Sequence, residues 1–219
     1  MMEERGYNVL SVPGDVTSVD ESINLIDRTV QAFGHLDILI NNAGIVSRGR
    51  FEDTDPRVFR KIIETNILGS VYPTQFALPH LRKTGGSVAF ISSIAGLRGF
   101  PMASPYSASK MALTGIAESL KIELAGSGVH IGVIYVSFTE NDPEKRVLTA
   151  DGTMKEISPP FQVSQERTAR LILRSVKNRT FKTALTPLGK MTYAVQLVAP
   201  WFVERLLTIS QRRMSNLYE

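Results

Sequence analysis

Tyr106-Ser107-Ala108-Ser109-Lys110 sets a phenol and an ammonium four residues apart at the start of a helical pattern. That step places both side chains on one helical face. A nearby cation favours the phenolate, so the spacing predicts a tyrosine pKa below its ordinary value of about 10. Such a phenol gives and takes protons near neutral pH. A lone Tyr-x-x-x-Lys step is commonplace on helix surfaces, but other polar residues accompany this one. Ser93 stands in Ile91-Ser92-Ser93-Ile94-Ala95-Gly96 at the end of an apolar run. A hydroxyl there can hold a substrate oxygen, or simply turn the chain. Asn41-Asn42-Ala43-Gly44 follows an earlier apolar run and reads equally as a loop of Asn and Gly in turn conformations. Asn66 falls inside a long helical pattern. A buried amide in a helix is costly unless bonded, so it lies either at the surface or in a specific contact.

Alternating strand and helix patterns must position these residues. Tyr7–Val12, Leu36–Ile40, Ser87–Ile91, Val129–Val136 and Phe181–Leu185 read as strands. Ser18–Phe33 reads as a helix with Ser18 as its cap and Glu21 as capping-box partner. Asp55–Leu81 reads as a long helix that Pro73 and Pro79 should kink or end. Tyr106–Ala125 is a second long helix, closed by Gly126-Ser127-Gly128. Phe138–Val163 reads as an irregular loop, and Ser164–Lys177 as a helix with Glu166 and Arg170 at pairing distance. Gly189–Ile209 is an apolar helix broken or bent at Pro200. The alternation argues for an α/β, doubly wound parallel sheet with helices on both faces. Ligands then sit beyond the carboxyl ends of the strands, where these polar residues fall.

Composition narrows the class. The chain has 219 residues, 43% of them apolar and 21% charged, as in an ordinary globular domain. It has no cysteine, which excludes disulfides and thiolate metal sites. The three histidines, His35, His80 and His130, are not spaced as ligands, so no metal is expected. The net charge of +4 is scattered, with Arg205, Arg212 and Arg213 as its one dense group. A nucleic-acid footprint needs a stripe or a run, and none is present. The start of the chain lacks the apolar core of a signal peptide. No uninterrupted apolar stretch is long enough to span a bilayer.

The ordered set Asp15-Val16, Asn41-Asn42-Ala43-Gly44, Asn66, Ser93 and Tyr106-x-x-x-Lys110 resembles the short-chain dehydrogenase/reductase family. The 13-residue step from Ser93 to Tyr106 also resembles the family's spacing. The resemblance runs from about Tyr7 to Ala184. It implies a Rossmann-like fold that interconverts a carbonyl and a secondary alcohol by hydride transfer with NAD or NADP, the choice being unreadable. By that resemblance Tyr106 is the general acid/base, and Lys110 lowers its pKa and binds the nicotinamide ribose. Ser93 orients the substrate oxygen, and Asn66 holds a proton-relaying water. Asp15 and Val16 touch the adenine. Asn42, Ala43 and Gly44 line the cofactor cleft, and Thr139 meets the nicotinamide end.

Two departures from the family pattern bear on the fold. Val136-Ser137 stands where the family usually has Pro-Gly. The family also opens with a strand, a Gly-rich turn, a helix and a second strand, and this chain begins just before the third strand. The turn would bind pyrophosphate through its backbone N–H groups. The chain therefore reads as an incomplete version of a longer protein, with a natural truncated form as the alternative. Tyr7–Val12 should then either pair directly with Leu36–Ile40 or leave an unpaired edge exposed.

Residues 1–187 are taken as the Rossmann-like unit without its first two strands. Residues 188–219 are taken as a C-terminal apolar or amphipathic helix packed on it. The resemblance implies a cytoplasmic homodimer or homotetramer, assembled through helices such as 55–81 and 106–125. Membrane-surface contact by the last helix is the less favoured reading of its apolar face. The apolar content of Phe138–Val163 and of the closing helix, including Phe161 and Trp201, points to a hydrophobic or lipid-like carbonyl substrate. The rival function is a catalytically silent binding or scaffold protein.

Overall fold

The computed structural model describes residues 6–140, 146–156 and 163–215. Four parallel strands form the main sheet: β1 (Ile38–Asn41), β3 (Ser87–Ser93), β4 (His130–Val136) and β7 (Lys182–Ala184), in the order β1-β3-β4-β7. A small second sheet joins β2 (Ser47–Arg48), β5 (Val147–Thr149) and β6 (Met154–Lys155). The helices are α1 (Val19–Phe33), α2 (Pro56–Ile63), α3 (Gly69–Thr84), α4 (Ser104–Glu123), α5 (Gln165–Lys177), α6 (Pro187–Val198) and α7 (Pro200–Ser215).

Strands β3 and β4 are buried on both faces, as their continuous apolar runs require. Val88, Phe90, Ile131, Val133 and Tyr135 face a core built with Ile26 of α1, Ala77 and Leu81 of α3, and Leu113 and Ala117 of α4. Ala89, Ile91 and Ile134 point the other way, onto Val176 of α5. Alternate residues thus serve opposite layers, which gives the expected α/β, doubly wound architecture.

Tyr7–Val12 forms no strand. A strand needs a ladder partner, and β1 pairs only with β3 among the described residues. The consequence is an open edge and an uncovered face: Ile38 and Ile40 are 46% and 36% exposed. Both stand on the side of the sheet that α5 covers farther along.

Several helix ends follow the sequence. Ser18 caps α1 through its hydroxyl, which accepts from Glu21 N at 3.3 Å. The capping box is half made, because Glu21 Oε2 accepts from Asp15 N instead of Ser18 N. Ser164 caps α5, and Glu166 pairs with Arg170 at 3.1 Å. The closing helix breaks between α6 and α7 at Ala199-Pro200.

The expected helix 55–81 is more complex. It comprises α2, a π-helical turn over Glu64–Leu68, and α3. Pro73 and Pro79 do not end α3, because buried Ala77 and Leu81 hold it against the sheet. The loop expected over 138–163 contains the antiparallel β5–β6 pair. Its turn is built by Asp151, which accepts from the Thr149 and Thr153 hydroxyls, and by Gly152 at φ 85°. Part of that stretch lies outside the described residues.

Candidate active site

The strand ends of β3 and β4, the start of α4 and the last turns of α7 surround a cleft of about 490 Å³. Six of the sequence-derived site residues or their neighbours line it: Asn42, Gly44, Ser93, Tyr106, Lys110 and Thr139. Asn66 lies beneath the cleft, and Asp15, Val16 and Ala43 lie outside its lining.

Tyr106 enters the cleft from the first turn of α4, where Pro105 starts the helix without a missing bond. Its phenol faces the Ser93 hydroxyl, which acts to lower its pKa. Ser93 Oγ also accepts from Ala95 N at 3.2 Å, which caps the 3₁₀ turn over Ile94–Gly96. One hydroxyl thus ends the strand and meets the phenol.

Lys110 lies one helical turn further. Its Nζ is 5.9 Å from the centroid of the Tyr106 ring and donates to Ile91 O at 2.9 Å. The expected fall in the Tyr106 pKa does not occur in this arrangement. Burial pushes the phenol above its ordinary value, and the neighbouring Ser93 hydroxyl pulls it part of the way back. Spacing alone gives proximity to the cation, but withdrawal from water favours the neutral phenol more strongly.

The floor beneath these groups is a closed polar network. Ser92 Oγ donates to Lys110 O at 2.9 Å. Ser109 Oγ donates to Tyr106 O at 2.7 Å and accepts from Asn66 Nδ2 at 2.9 Å. Asn66 is fully buried within the π-helical turn. Its Oδ1 accepts from Ile45 N at 2.8 Å, and its Nδ2 donates to Ile45 O at 2.9 Å. The side chain therefore mimics a strand neighbour for Ile45 and pins the loop that carries Asn42 to Gly44. Asn41 is structural: its Nδ2 donates to Thr74 Oγ1 at 2.8 Å in the buried core.

Close approach demands glycine at position 96 and makes position 44 tight. A Cβ on Gly44 would lie 3.1 Å from Asn66 Oδ1 and 3.3 Å from Lys110 Nζ. A Cβ on Gly96 would lie 2.2 Å from Ser92 Oγ and 2.8 Å from Lys110 O. Each lets backbone close on the lysine's helix. Farther along the sheet edge, Asp15 is exposed, and its bonds from the Thr17 N–H and hydroxyl hold its carboxyl below the usual range. Val16 packs so closely on Gly69 that a Cβ there would come within 2.6 Å of it.

At the departure from the family pattern, Ser137 Oγ shares a 2.6 Å hydrogen bond with Thr186 Oγ1, which caps α6. Thr139 lies on the lining just beyond. The upper wall is largely apolar, with Phe100, Met102, Phe138, Ile172 and Leu207.

Sequence reasoning missed two arginines here. Arg98 donates to Gln196 Oε1, Pro200 O and Glu204 Oε2, at 3.3, 3.0 and 3.0 Å, and so ties the α6–α7 break to the loop after Ser93. Arg48, on β2, lines the cleft itself. Neither belongs to a periodic pattern or a motif, so no sequence signal marked it.

Among the described residues, no group of three or more His, Cys, Asp or Glu could hold a metal ion. No helix there is long and apolar enough to cross a membrane.

Comparison with known proteins accords with this geometry. A family model described as short chain dehydrogenase matches residues 1–151. An 11-beta-hydroxysteroid dehydrogenase A from Arachis hypogaea is 34% identical over 207 residues, covering 90% of this chain and 59% of that protein. The chain thus spans about three fifths of the length of that curated relative. The structure titled ElxO with NADP bound is 36% identical over 58% of this chain and 52% of its own, with a TM-score of 0.56. A short chain dehydrogenase/reductase from Burkholderia phymatum, in complex with NAD, shares the fold with a TM-score of 0.77 at 21% identity, over 89% of this chain and 77% of its own. The chain belongs to the short-chain dehydrogenase/reductase family.

Proposed function

We propose that the cleft receives the nicotinamide-ribose end of NAD or NADP beside a hydrophobic carbonyl or secondary alcohol, and that Tyr106 exchanges the proton. The observation that carries this reading is the convergence of Tyr106, Ser93 and Lys110 on one largely apolar-walled cleft. The fit for a cofactor rests on the Gly44 wall, where the absence of a side chain leaves backbone facing Lys110 Nζ. Asn42, Gly44, Tyr106, Lys110 and Thr139 would hold the nicotinamide end, and Asp15 and Val16 the adenine. When bound, the dinucleotide would supply or accept hydride.

The chain's own residues account for the proton. The buried phenol is neutral at pH 7 and carries a proton ready for a substrate oxygen. Ser93 Oγ would hold that oxygen and steady the charge that develops on it. The Lys110 ammonium would stabilise the phenolate left behind. In the reverse direction the phenolate takes the proton of the alcohol. Asn66 acts as a positioning residue through Ile45, beside the water-holding role implied by the resemblance.

The apolar upper wall suits a bulky hydrophobic substrate, in keeping with the hydroxysteroid dehydrogenases among the relatives. The test is turnover of hydrophobic ketones with NADPH and NADH. Tyr106→Phe is expected to abolish it, since a general acid contributes about 10²–10⁴-fold. Turnover within a few-fold of the parent would refute the role. A chain that binds neither cofactor in a fluorescence titration would favour the scaffold reading, for which the exposed Ile38 and Ile40 face is the supporting observation.

A further inference from the structure

The cleft holds two cations that differ in their engagement. Lys110 Nζ is bonded to Ile91 O and stands beside Tyr106. Arg48 lines the same cleft, half-buried, and no hydrogen bond or ion pair joins its side chain to another described residue. No Asp or Glu is among the described residues of the lining. Asp151, in the turn after the strand paired with Arg48, is occupied by Thr149 and Thr153. The rest of the upper wall is largely apolar, with Thr168 and Gln211 as uncharged polar members. A half-buried arginine with no counter-ion among the described residues is a ready partner for a planar anion, which a guanidinium can grip through two parallel N–H bonds.

The geometry points to Arg48 as a specificity residue that binds a carboxylate on the substrate. This rests on the oxidoreductase reading above and refines its substrate class. The substrate is then an oxo acid or hydroxy acid with an apolar chain or ring. Its carbonyl or alcohol carbon lies at Ser93 and Tyr106, its apolar body along Met102, Phe138 and Leu207, and its carboxylate on Arg48. The backbone of Arg48 is fixed by the β2–β5 pairing, with Arg48 opposite Thr149. The anion site therefore sits on a different element from the Tyr106 and Lys110 helix, and binding can be altered without touching the proton donor.

The test is calorimetric binding of dodecanoate and dodecan-1-ol to the full chain, its Arg48→Gln and Arg48→Lys variants, and Tyr106→Phe. The parent is expected to bind dodecanoate at least about tenfold more tightly than the alcohol, the scale of one charge-assisted contact. Arg48→Gln should erase that preference while leaving dodecan-1-ol binding unchanged. Arg48→Lys should restore part of it, and Tyr106→Phe should retain it. Equal binding of acid and alcohol by the parent overturns the proposal, as does a preference that survives in Arg48→Gln. Titration with NADPH separates the other source of anions: a tenfold loss of NADPH affinity in Arg48→Gln with an intact dodecanoate preference would assign Arg48 to the cofactor and overturn the proposal. Binding is read without turnover, so the carboxylate preference stands or falls here even where the oxidoreductase reading fails in its own assay.

Discussion

Asn66→Ala tests how the cofactor wall is held. The substitution deletes three hydrogen bonds, to Ile45 N, Ile45 O and Ser109 Oγ, all between 2.8 and 2.9 Å. The site is fully buried, so water cannot replace them without opening the π-helical turn. At about 1 kcal/mol net for each bond, the loss should reach about 3 kcal/mol. That is a more than hundredfold change in the folded-to-unfolded ratio, well within reach of urea denaturation followed by far-UV circular dichroism. Asn66→Asp sharpens the argument. It keeps the acceptor for Ile45 N but turns a carboxylate oxygen toward Ile45 O. A protonated carboxyl could donate there, so burial should raise the folded pKa above the unfolded value of about 3.9. Between those two pKa values the folded state binds more protons, and stability falls as pH rises. Asn66→Asp should thus come closer to the parent in acid than at neutral pH. Ser109→Ala, which loses the bonds to Asn66 Nδ2 and Tyr106 O, should cost about 2 kcal/mol. A loss below about 1 kcal/mol in Asn66→Ala would show that the Ile45 loop is held by something else, and the positioning role would fall.

Two further outcomes follow from the site. Burial raises the Tyr106 pKa above 10, so carbonyl reduction should hold its rate from about pH 7 to 9, whereas alcohol oxidation should climb across that range as the base form grows. The same shift should cost stability as pH passes about 10, because the unfolded chain releases its proton first; a reduction rate that falls steeply between about pH 7 and 8 would contradict the assignment. Arg98→Ala removes the tie between the Ser93 loop and the α6–α7 break, while Leu207 on α7 stands on the cleft wall. KM for a bulky hydrophobic substrate should rise by about tenfold with kcat within about twofold, the pattern of lost uniform binding. An unchanged KM would separate α7 from substrate binding.

The site was more legible than the frame around it. Ser93, Tyr106 and Lys110 could be placed together because strand ends and helical steps are fixed by backbone geometry, and the structure brings all three to one cleft. The cap at Ser18 and the break at Pro200 are local chemistry, and they are formed as read. The strand expected over Tyr7–Val12 shows the limit of that reading. Its apolar alternation is genuine, but a strand exists only through a partner. The π-helical turn escaped for another reason. One extra residue per turn leaves no mark in an apolar period, and only the Asn66 amide hinted that the helix was irregular. The Tyr106 pKa was read with the wrong sign because spacing reports the neighbouring charge and says nothing of desolvation.

The two halves of the cleft are stabilised by different physics, and this bears on how substrate choice could change without loss of chemistry. Below, Ser92, Asn66 and Ser109 satisfy backbone groups of the very segments that carry Lys110, Gly44 and Tyr106. Gly96 leaves no room for a side chain there, and Gly44 leaves little. A substitution in this floor disturbs several hydrogen bonds at once, and their losses should not be additive. Above, Phe100, Phe138 and Leu207 contribute apolar surface that tolerates exchange for other apolar side chains of similar volume. The upper wall is held over the floor partly by one arginine, whose partners are two side chains and a carbonyl near the α6–α7 break. Ligand shape can therefore be reset through α7 and the Arg98 tie while the proton donor and its hydroxyl partner keep their geometry. The converse exchange, a new proton donor beneath an unchanged wall, would have to rebuild a buried polar network in one step.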